Sequence, residues 1–418
     1  MRIDLLKNSF APLIFYLLLI TVSFNIFRAS GLYLVFYFLL SLLGVIFFFL
    51  NFSKLRPKNM VGWTSYLFVI SSISVAVVSA LHLKKPDFLN AASRFYFVYP
   101  LFFSALLCLN IKTFRTAIQL YLLIAAGAAC CLIYQVYFGS LGFFGINSTG
   151  TESGLPYFGE PWFRGGIPRY STFLGALPTF GVAGAFALLF VGFSVRNIFF
   201  FGLLFFLLFT GLILTLQKAA LANLLIILIF ILWMSFKGKL SFSPAKLFGI
   251  VVFSGVVNFF AFNDYVLVNI DFLGFKLHRS SGDLIGWTGY GMLEDTSMRL
   301  TNHFLEGFPG APKFFGVGYE ALGGALGLEQ YPMSHNGLVD IWRLGGLPYM
   351  LVFLLLCFSI VYRLKFLKYR NDYDYYGLAF FAIFALNFIF YTGIFVNPSL
   401  AILFWINLAY LSVKDDVT

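Results

Sequence analysis

The chain has 418 residues, of which 60% are hydrophobic and 21% aromatic, while only 11% are charged. Soluble domains carry about a quarter charged residues, so this composition excludes an ordinary soluble protein and predicts an integral membrane protein. The formal net charge of +11 does not indicate nucleic-acid binding, because there is no soluble domain on which a basic face could be built.

Apolar runs of the length that crosses a bilayer as a helix recur along the whole chain. We therefore predict one all-α polytopic transmembrane domain, residues 1–418, rather than several domains. About twelve membrane-spanning helices are expected, at residues 10–27, 31–51, 62–81, 95–111, 116–137, 173–193, 197–215, 219–235, 247–263, 346–362, 374–391 and 395–412.

Basic residues are unevenly distributed between the two sides of the predicted membrane. If the N-terminus is cytoplasmic, most of the 28 Lys and Arg residues fall in cytoplasmic segments, and the short outer loops hold few. Loops rich in Lys and Arg stay on the cytoplasmic side. Both termini are therefore expected in the cytoplasm, which places two long segments, 138–172 and 264–345, on the outer face.

The two long outer segments are candidates for a functional site. Segment 138–172 is rich in Gly, Pro and aromatic residues, and segment 264–345 contains three of the four histidines. Loops longer than about 12–15 residues are usually functional or disordered, and the aromatic content argues against disorder. Long loops translocate largely regardless of charge, so their basic residues are free to serve a site: Arg164, Arg169, Lys276, Arg279, Arg299, Lys313 and Arg343.

A compact polar cluster, residues 332–349, ends the second loop. Ser334 can cap a helix that starts here, and His335 is followed by three further polar residues, Asn336, Asp340 and Arg343. Histidine titrates nearest to physiological pH, which suits a general base or a proton shuttle. The alternative is a packing or surface histidine at the membrane interface, and spacing alone leaves both interpretations open.

Basic side chains of the outer face form the second candidate feature. A guanidinium group binds phosphate oxygens with two parallel hydrogen bonds, so the arginines of the loops are candidate phosphate ligands: Arg164, Arg169, Arg279, Arg299 and Arg343. The alternative for each is a side chain that reaches the lipid headgroups from the interface. Lys218 lies between two strongly apolar spans on the outer side, and both interpretations apply to it as well.

No metal or cofactor site is predicted. The sequence has no HExxH motif and no Cys/His quartet, and the outer loops contain no Asp-x-Asp pair, so a metal ligand set is not evident there. The cysteines Cys108, Cys130, Cys131 and Cys357 fall inside predicted spans, where a thiol acts as a small hydrophobic group. Gly316-Val-Gly318 is more typical of a turn than of a nucleotide-binding loop, because no βαβ unit surrounds it.

Polar groups within the predicted spans are scattered amides, among them Asn25, Asn223, Asn258 and Asn387. Such amides are more typical of helix packing than of an ion path. No span centre carries an acid or a base, and no repeat relates two halves of the chain, as many transporters require.

From His335 to Tyr349 the sequence resembles the outer-loop signature of the O-antigen ligase and O-antigen polymerase superfamily of bacterial envelope glycosyltransferases. The family pattern is His, then Asn, Ser or Gln, nine further residues, Gly, two residues, and Gly, Thr or Tyr. Here His335-Asn336 is followed by nine residues, then Gly346, Leu347-Pro348 and Tyr349, so every specified position is met. Arg299 followed by residues 312–319, and the long loop between the ninth and tenth spans, also look like the family.

The resemblance implies a fold similar to the GT-C membrane glycosyltransferases. It also implies metal-independent, inverting transfer of a glycan from undecaprenyl diphosphate at the periplasmic face of the bacterial inner membrane. His335 would be the catalytic base or would orient the acceptor, with Asn336, Asp340 and Arg343 in support. The diphosphate would be bound by basic residues: Arg299, Lys218, Arg169 and Arg279. The family commonly carries Ser-Arg where this chain has Gln217-Lys218, and lysine keeps the charge but loses the planar fork.

The acceptor distinguishes the two activities of this superfamily. A polymerase transfers the glycan to a second lipid-linked repeat unit, and a ligase transfers it to the lipid A-core. The first outer loop, with Arg164 and Arg169, looks more like polymerases, which handle two lipid diphosphates, so polymerase is favoured. The histidine signature is most associated with ligases, which keeps ligase as the alternative. A chain-length regulator is a further candidate partner.

Two other classes fit the sequence less well. A flippase for the same lipid-linked glycan would need charged residues along a central cavity and repeated halves, which the sequence lacks. A non-enzymatic scaffold would have no need of the polar cluster at residues 332–349.

Overall fold

The computed structural model describes residues 57, 59–83, 111–138, 162–164, 167–169, 172–174, 177–215, 218–240, 242–261, 314, 316, 337–366, 372–390 and 398–413, with isolated helical positions before residue 50. In these residues the chain forms nine helices and one short hairpin. The helices are α1 (Met60–Leu83), α2 (Ile111–Phe138), α3 (Leu177–Ser194), α4 (Ile198–Leu214), α5 (Lys218–Phe236), α6 (Pro244–Ala261), α7 (Gly337–Phe366), α8 (Asp372–Phe390) and α9 (Pro398–Val413). The hairpin strands are β1 (Trp162–Arg164) and β2 (Ile167–Arg169).

The predicted helical fold is confirmed for the described part of the chain. Each predicted span from 62–81 onward, apart from 95–111, corresponds to one of these helices. The predicted spans 10–27, 31–51 and 95–111 lie almost entirely outside the described residues. The hairpin was not predicted.

Within the described part of the chain, three helices are long and apolar enough to cross a membrane: Thr113–Phe138, Pro244–Ala261 and Gly337–Lys365. In α6 the buried residues include Ser254 and Asn258, whereas Phe253 is 63% and Phe260 76% exposed. A helix with polar groups packed inside and aromatic rings outside is unfavourable in water and favourable in lipid, where polar groups join helices. The described helices are thus compatible with a membrane protein.

The chain divides into two compact units. The first contains α1, α7 and α9, with the beginning of α2. The second contains the rest of α2, the hairpin, α3 to α6 and most of α8.

An aromatic cluster forms the centre of the first unit. The Phe68 ring of α1 lies 5.4 Å from Tyr349 and 5.6 Å from Phe353, both on α7, and 5.9 Å from Trp405 on α9. All four side chains are buried. Packed rings of this kind stabilise beyond the apolar area that they bury, so the cluster ties three helices together.

Polar contacts fix the direction of these helices. Asn59 caps α1 by accepting a 2.9 Å hydrogen bond from Gly62 N, and its Nδ2 donates to Leu411 O near the end of α9 at 2.9 Å. Thr64, in the first turns of α1, shares a 2.7 Å hydrogen bond with Ser359, near the end of α7. Helix α1 therefore runs antiparallel to both α7 and α9.

In the second unit, α4 and α6 run parallel. The Phe206 and Phe253 rings are 6.5 Å apart, and one turn further along both helices Asn258 Nδ2 donates to Thr210 Oγ1 at 2.9 Å. Helices α3 and α8 run antiparallel, because Phe186 contacts Phe380 and Phe190 contacts Tyr376, with ring centroids 4.6 and 4.3 Å apart.

Two asparagines join α5 to α8. Asn223 and Asn387 each donate to the other's carbonyl oxygen, at 3.0 and 2.9 Å, and both are buried. With Asn258, these residues confirm the prediction that the amides serve helix packing. Asn25 lies outside the described residues.

Glycine permits close packing where three helices of this unit meet. A Cβ on Gly211 of α4 would lie 2.9 Å from the Phe180 ring of α3 and 3.0 Å from Ala129 Cβ of α2. Since real Cβ contacts are longer than this, any larger residue at Gly211 has to displace a neighbour.

Candidate functional site

The structure describes the side chains of two of the eight residues predicted to form the site, Asp340 and Arg343. Lys218 is the first residue of α5, and Arg169 is the last residue of β2. The other four lie outside the described residues, and their roles stay predictions: His335, Asn336, Arg279 and Arg299.

The polar cluster is helical from Gly337 onward. Helix α7 covers Gly337–Phe366, so it begins well before the predicted span 346–362 and close to the helix start predicted at Ser334. Its first part, residues 337–345, is called the outer segment below, after its predicted side of the membrane. Val339, Ile341 and Leu344 of this segment are buried, so it packs inside the protein.

Two charged side chains are buried in the outer segment. Arg343 is 1% and Asp340 6% exposed. Burial excludes the headgroup-contact interpretation for Arg343, since such a side chain must reach the interface. Residues three apart lie on the same side of a helix, so the opposite charges can stabilise each other. Asp340 is also in the first turn of α7, where the helix dipole favours a carboxylate.

The start of the outer segment rests on an aromatic ring. A Cβ on Gly337 would overlap the ring of Phe388, which in turn lies 5.0 Å from Phe353 of α7. Only glycine allows the backbone to approach the ring this closely. The chain is therefore held in place immediately after His335-Asn336.

The outer segment ends at a break in α7. Gly346 has φ 69° and ψ −165°, a conformation that is essentially restricted to glycine. In a continuous helix the Leu347 N–H would donate to Arg343 O, but here it donates to Phe314 O at 3.0 Å. Pro348 follows in the first turn of the second part of α7, where a missing N–H costs nothing.

Gly316 lies against this break. It has φ +73°, and a Cβ added to it would be 2.5 Å from Gly346 N and 2.7 Å from the carbonyl oxygens of Arg343 and Leu344. A Cβ on Gly346 would in turn overlap the Phe314 carbonyl group. The two glycines therefore allow a direct backbone contact, which we call the glycine dock.

Tyr349 anchors the second part of α7 to α1. Its hydroxyl and Ser72 Oγ are 2.8 Å apart, and its ring stacks on Phe68 with an interplanar angle of 10°. One turn earlier, a Cβ on Gly345 would meet Val75 of α1 at 2.7 Å. Gly346 and Tyr349, the last two positions that the resemblance specifies, thus have different structural roles. Gly346 breaks helix α7, and Tyr349 anchors the second part of α7 to α1.

The second unit holds the start of each predicted outer loop. The Tyr137 hydroxyl, at the end of α2, donates to the Ala261 carbonyl at the end of α6 at 2.8 Å. Segments 138–172 and 264–345 therefore leave the fold from neighbouring helix ends. Within the first loop, β1 and β2 pair antiparallel, with Trp162 opposite Arg169 and Arg164 opposite Ile167.

Among the described residues, no group of three or more His, Cys, Asp or Glu side chains is placed to hold a metal ion.

No protein-family model matches the chain, and no curated protein matches it significantly. What the described residues define is a class: a helical protein with three helices able to cross a membrane.

Residues 312–319 were noted in the sequence as similar to the family, but the contact of Phe314 and Gly316 with the break in α7 was not predicted, and Ser72 was missed. Gly316 was interpreted as a turn residue, and its positive φ agrees with that. Its contact with Gly346 is long-range and has no local signal. Ser72 lies in an apolar run that also contains Ser71 and Ser74, so nothing in the sequence distinguishes it.

Proposed function

We propose that the protein is an integral glycosyltransferase of the bacterial inner membrane, which polymerises undecaprenyl-diphosphate-linked oligosaccharide repeat units at the periplasmic face. The observation that carries the proposal is the complete signature from His335 to Tyr349. Its second half has physical support, because Gly346 adopts a glycine-only conformation and Tyr349 makes a buried interhelical hydrogen bond.

Helix directions support the proposed twelve-span, GT-C-like arrangement with both termini in the cytoplasm. In that arrangement α1 is the third span, and α7 and α9 are the tenth and twelfth, so α1 should be antiparallel to both. The seventh and ninth spans, α4 and α6, should be parallel. The contacts within each unit agree with these directions.

The two outer loops are proposed to serve one periplasmic site. Their first residues follow α2 and α6, whose ends are joined by the hydrogen bond from Tyr137 to Ala261. This contact supports an origin on the same side of the membrane. On this proposal the basic residues of the first loop contribute to the same site as those of the second.

In the proposed reaction, a hydroxyl of the acceptor sugar attacks the anomeric carbon of the donor glycan. His335 takes the proton of that hydroxyl, and the bond from the anomeric carbon to the diphosphate oxygen breaks with its electron pair leaving on undecaprenyl diphosphate. Attack from the opposite side inverts the anomeric centre. A general base of this kind contributes about 10²–10⁴-fold to the rate.

The remaining predicted residues are proposed to bind the diphosphate, to orient the acceptor or to support the site. The leaving diphosphate gains negative charge, which cationic side chains stabilise; the candidates are Arg299, Lys218, Arg169 and Arg279. Asn336 is proposed to orient the acceptor. Asp340 and Arg343, buried one helical turn from each other, are proposed to hold the outer segment in place rather than to contact the substrate.

An O-antigen ligase, which transfers the glycan to the lipid A-core, is the second candidate. The His335-Asn336 signature favours it, because that signature is most associated with ligases. The basic first loop, with Arg164 and Arg169, favours the polymerase. A chain-length regulator is expected as a partner of a polymerase.

The test is complementation of a deletion strain, read from the lipopolysaccharide ladder. A deletion that leaves one repeat on the core indicates a polymerase. Loss of all attached glycan, with lipid-linked polymer accumulating, indicates a ligase. We expect His335→Ala to reproduce the deletion, and His278→Ala, in the same loop, to restore the parental ladder. A parental ladder from well-expressed His335→Ala would refute the catalytic role of His335.

A further inference from the structure

We infer that Gly316 is a positioning residue, whose backbone holds the outer segment of α7, the helical piece that follows His335-Asn336 in the sequence, in a fixed place. The role in catalysis rests on the proposed function. The contact itself rests only on described residues.

The break in α7 interrupts two hydrogen bonds that a continuous helix would contain. Arg343 O would accept from Leu347 N–H in a continuous helix, but that N–H donates to Phe314 O. Leu344 O would accept from residue 348, which is a proline and has no N–H. These two oxygens are the ones that a Cβ on Gly316 would meet, each at 2.7 Å. Gly316 thus lies directly over the open side of the break.

The glycine dock is reciprocal, and a side chain on either glycine would disrupt it. A Cβ on Gly346 would lie 2.6 Å from Gly316 N and overlap the Phe314 carbonyl. Both glycines have positive φ, 73° and 69°, which an L-residue adopts only with strain. The obstacles are backbone atoms, which cannot rotate aside as a flexible side chain can.

The two residues that flank segment 317–336 are both held by contacts. Gly316 is held in the glycine dock, and Gly337 lies against the Phe388 ring. The chain can extend at most about 7 Å over the two residues from Gly337 back to His335. Both ends of this stretch are therefore attached to α7 or its neighbours. Opening the dock releases one end without removing any apolar side chain from the core. The expected consequence is a misplaced His335 in a folded protein.

A matched pair of substitutions separates this effect from backbone strain. In Gly316→Ala the added Cβ causes strain for two reasons: the residue has positive φ, and the Cβ meets backbone atoms at the break in α7. Gly238, between α5 and α6, has φ +63° and nothing within 4 Å of an added Cβ. Gly238→Ala therefore carries a similar backbone penalty with no displaced neighbour, and we expect it to behave as the parent.

The first readout is geometric and independent of any activity. Phe314 and Leu347 are 54% and 37% exposed, so cysteines can replace them without opening the core, and their backbones are joined by the 3.0 Å hydrogen bond. With copper phenanthroline as oxidant, Phe314→Cys/Leu347→Cys should form a disulfide quickly, as detected by peptide mass spectrometry. We expect Gly316→Ala to slow cross-linking at least fivefold and Gly238→Ala to leave it unchanged. Cross-linking of Gly316→Ala at the parental rate would overturn the dock.

The second readout is the kinetics of glycan transfer by the purified protein. A misplacement of about 1 Å can cost about 10²-fold in rate, so we expect Gly316→Ala to lower kcat 10- to 100-fold with KM within twofold of the parent. The oxidised cysteine pair should restore kcat, and a reductant should abolish the rescue. Slow cross-linking with a parental kcat would overturn the positioning role. If the parent itself transfers no glycan, the proposed function fails, while the cross-linking result still decides the dock.

A second variant tests the positioning role in case Gly316→Ala folds poorly. Leu347→Pro removes the N–H that binds Phe314 O and replaces a side chain that is already 37% exposed, at a position in the first helical turn where proline is tolerated. We expect a severalfold fall in kcat without loss of protein, and a parental kcat for this variant would also overturn the positioning role.

Discussion

The Tyr349 hydroxyl provides a test of whether the signature tyrosine anchors a helix or acts on the substrate. Ser72 Oγ donates to Phe68 O at 2.8 Å. A serine hydroxyl has one proton, so in the 2.8 Å contact between Ser72 and Tyr349 the tyrosine is the donor. Tyr349→Phe removes this donor and keeps the ring that stacks on Phe68.

The two sides of this hydrogen bond are not equivalent. Tyr349→Phe leaves Ser72 with its proton still bound to Phe68 O, so we expect a loss of about 1 kcal/mol, the usual net value of a hydrogen bond. Ser72→Ala leaves a buried tyrosine hydroxyl without its acceptor, which costs about 1–3 kcal/mol. The double variant leaves no orphaned donor. It should therefore be no less stable than Ser72→Ala, and the two losses should not add.

The measurement is unfolding in mixed detergent micelles for the parent, both single variants and the double variant, together with the transfer rate of each. If Tyr349 is an anchor, Ser72→Ala reduces the transfer rate at least as much as Tyr349→Phe does. Two results together would refute this reasoning. Ser72→Ala would have the stability and the transfer rate of the parent, and Tyr349→Phe would have the stability of the parent but would transfer no glycan. The tyrosine hydroxyl would then have to act on the substrate.

Two further predictions concern packing in the second unit and use the same unfolding assay. Asn223→Ala and Asn387→Ala should each cost about 1–3 kcal/mol, because each leaves the buried carbonyl oxygen of the other amide without its donor, although Asn387 Nδ2 also donates to Ile383 O; the double variant should lose less than the sum. Asn407→Ala is the control, since this buried amide donates to Leu403 O of its own helix. Additive losses from Asn223→Ala and Asn387→Ala would contradict the reciprocal bond between these two residues. Gly211→Ala should cost about 1–3 kcal/mol by overpacking. Gly255→Ala, with nothing within 4 Å of the added Cβ, should be neutral or slightly stabilising because alanine has the higher helix propensity, and equal losses for the two would contradict the packing role of Gly211.

The helices of this chain follow from the sequence because apolar length alone specifies them. A run of about 20 apolar residues has no stable alternative to a helix in lipid, where every backbone group must be bonded internally. The short turn between α4 and α5 was found from Gln217-Lys218, and the end of α6 was placed within a few residues. The hairpin was missed although it had a local signal, two glycines between Trp162–Arg164 and Ile167–Arg169.

The start of α7 was predicted only in part. A helix was expected to begin near Ser334 and is found from Gly337 onward, but nothing in the sequence indicated that Asp340 and Arg343 would be buried in it. Gly345-Gly346-Leu347-Pro348 has the composition of a kink and was interpreted as the start of a span. The partner of that kink, Phe314 to Gly316, could not be predicted, since nothing local links a turn to a helix break.

The fixed spacing of the signature has a physical explanation in the outer segment. The nine residues between Asn336 and Gly346 form one continuous piece of helix, Gly337 to Gly345, about 13 Å long at 1.5 Å per residue. One end rests on Phe388 and the other on the glycine dock. Each added or removed residue would rotate one end relative to the other by about 100°, so Gly337 and Gly346 could not both keep their contacts. The segment therefore acts as a spacer of set length and set rotation between the break in α7 and the residues just before the helix. A pattern of His-Asn, nine residues and glycine has the spacing that such a spacer requires. Glycine is needed at position 346 because backbone atoms of Phe314 and Gly316 close the break.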